Sequence, residues 1–188
     1  MATAEVDVNK SVVHGLSQEF QAGVEGILVV RSVCMNDSGK IVVTDMCNDR
    51  VQVLTEDGEH LLTFGYDGEL NGPVQCIYWR DAYIVSSYKS HILNIFDCGG
   101  TLLYQIGESG TENRHLPSHL WGFYIESSRN HQNLLVSDDK NSCIYQFTMD
   151  NYFTGKTVDR LQGLISMTAA PDGRILVLNE KGTVLFLK

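Results

Sequence analysis

No run of about 18 apolar residues, the length a membrane-spanning helix needs, occurs anywhere in the chain. No membrane partner is therefore expected. The opening stretch MATAEVDVNKSVVHG has neither a basic leader nor an apolar signal core, which points to a cytoplasmic protein. Paired cysteine motifs are missing too: Cys34, Cys47, Cys76, Cys98 and Cys143 are odd in number and form no CxxC or tight Cys/His cluster. That pattern disfavours a disulfide framework and a zinc finger, and the five thiols are expected to be free and buried. Positive charge is scarce, with 14 Lys and Arg against 23 Asp and Glu for a net charge of −9. Such a balance repels phosphate backbones unless the basic residues are gathered on one face. No GxSxG, no P-loop and no locally spaced pair of acids is present, so the chain is not expected to be an enzyme, and no cofactor is implied.

What the 188 residues do contain is 43% hydrophobic residues, enough for one domain or one and a half. They also repeat. Residues 32–65 overlay residues 74–107 without a gap at a shift of 42, carrying Cys34 onto Cys76, Val43 onto Val85, Val53 onto Ile95, Gly58 onto Gly100 and Gly65 onto Gly107. A third copy at a shift of 93 carries Asp45 onto Asp138 and Asn48 onto Asn141, and a fourth at 134 carries Gly39 onto Gly173 and Val43 onto Val177.

Each copy holds short apolar runs rich in β-branched and aromatic residues, separated by turn residues. In the first copy the runs are 32–35, 41–44, 51–54 and 61–64, divided by NDSG and TEDG. Ser-Gly and Asp-Gly supply the positive φ that tight hairpins require. A helical repeat of this length would show an i, i+3, i+4 pattern over at least ten residues, and none is found. Four short strands per roughly 42 residues is the arithmetic of a propeller blade, and the fold expected is all-β.

The stretch SGKIVVTDMCNDRVQVLTEDGEHLLTFGYDGELNGP resembles an NHL repeat, with Gly39, Ile41, Val43, Asp45, Asn48, Arg50, Val51, Val53, Gly58, Phe64, Gly65, Gly68 and Pro73 in register. The resemblance extends over about 160 of the 188 residues, more weakly in the second copy, where Ser87 replaces Asp45. It implies a β-propeller of four-stranded antiparallel NHL-type blades: an N-terminal segment at 1–30, blades at 31–71, 72–116 and 117–163, and a final partial blade at 164–188. Six blades of this period would need about 250 residues, and about four are visible here. A small closed ring, an arc of a larger ring, and arcs paired between chains all fit that count. Val6–Val8, Ser11–His14 and Phe20–Gly23 are candidate closing strands for the last blade.

The wording of the first repeat is most similar to the propellers of tripartite-motif (TRIM) ubiquitin ligases, which recognise a partner while an upstream RING supplies the ligase. The resemblance implies a substrate-recognition module, with RNA binding in post-transcriptional regulation as the family's other known use. In NHL propellers the face that binds is built from the turns between second and third strands and from the connections between blades. Here those segments are 46–50, 88–91, 139–142 and 180–182, with net charge +1, and 66–71 and 108–115, with net charge −3. RNA is disfavoured by that balance, and a protein or peptide partner is expected at Arg50, Tyr66, Tyr88, Lys89, His91, Arg114 and Lys140.

Asp45, Asp138 and Asn179 end their second strands and are expected to accept backbone N–H bonds in the turns that follow. His115 and His119 sit close in sequence, but the six histidines occupy non-equivalent repeat positions, so no metal site is expected. Cys34 and Cys76 are placed on neighbouring first strands lining a central channel, while Met35, Tyr78, Trp79 and Trp121 are read as core.

Overall fold

A computed structural model of the chain describes residues 29–88, 90, 92–107, 120, 122–127, 132–138, 142–149, 153–159, 161, 163–170, 172 and 174–187. These form fifteen strands in four antiparallel sheets. The first sheet holds β1 (Val30–Met35), β2 (Ile41–Asp45), β3 (Arg50–Leu54) and β4 (His60–Phe64) in sequential order. The second holds β5 (Pro73–Trp79), β6 (Ala82–Ser87), β7 (Leu93–Asp97) and β8 (Leu102–Ile106). The third holds β9 (Phe123–Ser127), β10 (Gln132–Asp138), β11 (Cys143–Thr148) and β12 (Phe153–Asp159). In the fourth, β13 (Leu164–Ala169), β14 (Ile175–Asn179) and β15 (Val184–Leu187) make three strands among the described residues. The proposed closing strands at residues 6–8, 11–14 and 20–23 lie outside the described residues.

Turn chemistry sets the registers. Gly39, Gly58 and Gly100 take φ of +74°, +83° and +82° at the hairpin turns, where a residue with a Cβ is disfavoured. Asx residues close the same class of turn: Asn36 Oδ1 accepts from the N–H of Ser38 and Lys40, and Asp97 Oδ1 from that of Gly99 and Thr101.

Alternating side chains then bury each sheet against its neighbours. Val42, Val51, Val53 and Phe64 of the first sheet pack on Tyr83, Val85 and Phe96 of the second. From the other face of the second sheet, Ile84, Leu93 and Ile95 pack on Phe123, Leu134, Val136 and Phe147 of the third. The opposite face of the third, with Leu135 and Ile144, meets Leu164, Met167, Ile175 and Val177. Consecutive residues of β6 from Tyr83 onward and of β10 from Leu134 onward therefore point to different neighbours and are all buried. Each such side chain contributes about 1.5–3 kcal/mol.

The two terminal sheets keep one apolar face outward. Met35 on the first, and Leu178, Val184 and Phe186 on the fourth, are exposed, while the equally exposed Val33 and Ile165 border the central cavity. Met35 is thus not a core residue: the strand's inward positions are Ser32 and Cys34, and its alternate positions face away from the second sheet. Tyr78 and Trp79 do pack on the apolar clusters, while Trp121 lies outside the described residues.

A buried hydroxyl recurs in three sheets. Thr44 Oγ1 accepts from Ser32 N–H at 2.9 Å, Ser86 Oγ from Gln75 N–H at 3.2 Å, and Ser137 Oγ from Gly122 N–H at 2.9 Å. In the first two sheets the innermost strand shifts register beside these residues, between Val30 and Val33 and between Pro73 and Cys76. A bulge leaves an amide without its ladder partner, and the hydroxyl satisfies it.

Candidate functional site

The first strand of each sheet is innermost, and β1, β5 and β13 together line a cavity of about 310 Å³ through Arg31, Ser32, Cys34, Gln75, Cys76 and Ile165 among others. The pairing of Val30 with Asp45 and of Val51 with Phe64 puts three features at one end of that cavity: the start of β1, the β2–β3 turn and the β4–β5 connection. Side chains tie the features together. Asp49, in the left-handed region at φ +51°, accepts from Gly72 N–H at 2.6 Å through Oδ1, and Tyr88 N–H donates to Gly72 C=O at 2.8 Å. Arg31 Nε lies 3.3 Å from Met46 Sδ. Met46, Asp49, Gly72 and Tyr88 therefore form a joined rim at the channel mouth.

Arg50 stands on this rim in a different posture from that of a free contact residue. Its Nε donates to Asp45 Oδ2 at 3.0 Å, where the side chains are 18% and 0% exposed. The Gln52 amide, oriented with its oxygen toward the guanidinium, accepts from Nη2 at 3.0 Å. Asn48 Nδ2 donates to the same carboxylate oxygen at 2.8 Å, and Asp45 Oδ1 has no hydrogen-bond partner among the described residues. Asp45 thus takes side-chain donors, not the backbone N–H groups expected of a turn cap, because Arg50 and Asn48 reach it first. Asn179 accepts from the N–H of Lys181 and Thr183, at 3.1 and 2.9 Å. Asp138 is buried at the end of β10.

Tyr66 is 48% exposed in the β4–β5 connection, and Tyr88 is half-buried at the rim. Lys89, His91, Arg114 and Lys140 lie outside the described residues. So do all the histidines except His60, an exposed residue of β4 whose Nε2 is 2.6 Å from Thr63 Oγ1.

The five cysteines are free, but Cys47 and Cys98 are exposed because each sits in a turn and not in a strand, contrary to the expectation of five buried thiols. Deeper in the channel wall, Cys34 and Cys76 border the same cavity and the same apolar cluster. The Cys76 thiol donates to Ile77 C=O at 3.9 Å. The neighbouring Cys76 thiol, with the Tyr78 backbone N–H, pulls the Cys34 thiol below its ordinary pKa against the opposing effect of burial, while the proximity of Cys34 and complete burial push Cys76 well up. The repeat alignment places Thr44, Ser86 and Ser137 in register, the signal from which the second-strand hydroxyls that bond the inner strands can be read.

No protein-family profile matches the sequence, and no curated protein does. Solved structures do match in fold. The architecture is that of a β-propeller. Streptogramin B lyase superposes with a TM-score of 0.60 at 9% identity, over 84% of this chain and 53% of that one. Virginiamycin B lyase from Staphylococcus aureus, in its selenomethionine form, superposes at 0.57 and 12% identity over 85% and 55%. The computationally designed Ika4 protein superposes at 0.57 and 9% identity over 91% of this chain and the whole of that one. The chain spans about half the length of the lyases it matches. At these identities the likeness is one of fold alone.

Proposed function

We propose that the chain is a non-catalytic recognition propeller that binds a protein or peptide at the channel mouth, on the rim built by the β2–β3 turn and the connections between sheets. The observation that carries this reading is the charge and chemistry of that face. Arg50 is neutralised by Asp45, and exposed Tyr66 stands beside Asp67 and Glu69, with Glu180 and Lys181 exposed on the turn of the fourth sheet. Phosphate recognition needs several unpaired Lys or Arg, whereas an amphipathic tyrosine on a rigid loop suits a protein contact. Lys89, His91, Arg114 and Lys140 are proposed to extend the contact from neighbouring loops.

The in-register motif from Gly39 to Pro73 supports the finer reading of an NHL-type module like the substrate-binding propeller of a TRIM ubiquitin ligase. Ubiquitin transfer would then be the work of a RING outside these residues. The test compares the wild-type chain with a Tyr66→Ala/Tyr88→Ala variant of equal thermal stability as baits, and measures RNA binding on filters over a salt series. Partners lost with the double variant and a flat, weak RNA response support the reading. RNA affinity that falls steeply with salt, together with protein capture indifferent to both tyrosines, would replace it with an RNA-binding propeller.

A further inference from the structure

Cys34 and Cys76 lie 42 residues apart and on different sheets, yet both border the same cavity and both belong to the same apolar packing between the first and second sheets. The strands that carry them are locked together at this point: Cys76 N–H donates to Ser32 Oγ at 3.4 Å, and Thr44 Oγ1 donates to Val74 C=O at 3.2 Å. The two sulfurs are not alike. Cys34 is half-buried, whereas Cys76, on the wall of the same cavity, is 1% exposed and its thiol donates to Ile77 C=O at 3.9 Å. The more reachable sulfur, whose thiol the neighbouring Cys76 holds below the ordinary cysteine pKa, is the nucleophile of such a pair, and the enclosed one is its resolving partner. The cavity, at about 310 Å³, has ample room for a small hydroperoxide beside a water molecule's share of about 30 Å³.

From this arrangement we infer that Cys34 and Cys76 form a dithiol–disulfide redox site, in which a hydroperoxide entering the channel drives closure of a covalent staple between the first and second sheets. The Cys34 sulfur attacks the terminal peroxide oxygen, so that an S–O bond forms, the O–O bond breaks and the leaving alcohol or water takes the Cys34 proton. The Cys76 sulfur then attacks the sulfenic sulfur: the S–S bond forms, the S–O bond breaks, and water leaves with the Cys76 proton. Two thiols are oxidised to one disulfide, and the hydroperoxide is reduced to alcohol and water. A bridge of this kind constrains 42 residues of the unfolded chain, and is expected to raise the melting temperature by on the order of 5–10 °C.

The test exposes the reduced chain to hydrogen peroxide, digests it without reductant and identifies the linked peptides by mass. A Cys34–Cys76 linkage as the main disulfide, reversed by dithiothreitol and accompanied by the rise in melting temperature, supports the site. In Cys76→Ser, dimedone should trap Cys34 as its sulfenic acid, and the thermal shift should vanish. The wild-type linkage and thermal shift decide the matter even if that variant fails to fold. Oxidation confined to exposed Cys47 and Cys98, or conversion of Cys34 to a sulfinic acid with Cys76 still a thiol, would overturn it.

Discussion

Replacing Arg50 by alanine separates a contact residue from a structural one. The guanidinium is 18% exposed and bridges a fully buried carboxylate and a fully buried amide, Asp45 and Gln52. Removing one partner of a buried ion pair costs about 3–5 kcal/mol, because the surviving charge stays desolvated. Partial access of water to Arg50, together with the Asn48 bond that remains, reduces this to about 2–4 kcal/mol. At about 2–4 °C per kcal/mol for a chain of this size, the melting temperature should fall by roughly 5–15 °C. Arg50→Lys keeps the charge but loses the two-sided fork, and should recover only part of the loss. Asp45→Asn combined with Arg50→Ala should cost less than the sum of the single changes, since the stranded charge is gone. Differential scanning calorimetry of the wild type, the three single variants Arg50→Ala, Arg50→Lys and Asp45→Asn, and the double variant is the assay. An Arg50→Ala variant within about 0.5 kcal/mol of wild type, as for an ordinary surface substitution, would refute the inward-facing role.

Other substitutions probe the joints between sheets. Gln75 accepts from Phe123 N–H at 2.8 Å and donates to Phe123 C=O at 3.1 Å, so Gln75→Ala should cost about 1–3 kcal/mol by denaturant titration, the lower value if cavity water replaces the amide. Ser137→Ala strands the Gly122 amide and should cost about 1–3 kcal/mol in the same titration. Gly100→Ala would place a Cβ 2.6 Å from Phe64 Cβ at a φ of +82°, and should lose at least about 2 kcal/mol and loosen the packing of first on second sheet, read by near-UV circular dichroism. Because donors to its sulfur lower the Cys34 pKa, its thiolate persists to lower pH than that of an unfolded cysteine. Its alkylation rate should therefore fall off at lower pH than that of the same cysteine in a peptide, as followed by mass spectrometry.

The repeat makes most of the scaffold readable in the sequence alone. Strand positions in the first copy differ by one or two residues from those expected at the ends: β1 begins at Val30 and β3 at Arg50. The reason is that turn residues and β-branched runs are local signals. What local signals cannot carry is which face of a strand has a neighbour. Met35 was read as core because it is apolar, yet the first sheet has only its other face against the second. The repeat position of Arg50 places it at the rim, while the buried carboxylate that holds its guanidinium is visible only once β2 and β3 are paired. Cys34 and Cys76, by contrast, were legible as neighbours from the repeat alone, though not the division between a reachable sulfur and an enclosed one. Four of the seven proposed contact residues, Lys89, His91, Arg114 and Lys140, fall outside the described residues.

The claim that the rim at the channel mouth is a protein-recognition surface is tested most directly by a photo-crosslinking amino acid placed at residue 66 and, separately, at exposed residue 37 in the β1–β2 turn of the opposite face. Irradiation in cells should yield discrete protein adducts from position 66 and few from position 37, with no labelled RNA at either. Adducts from position 37 alone, or RNA crosslinked at position 66, would contradict it.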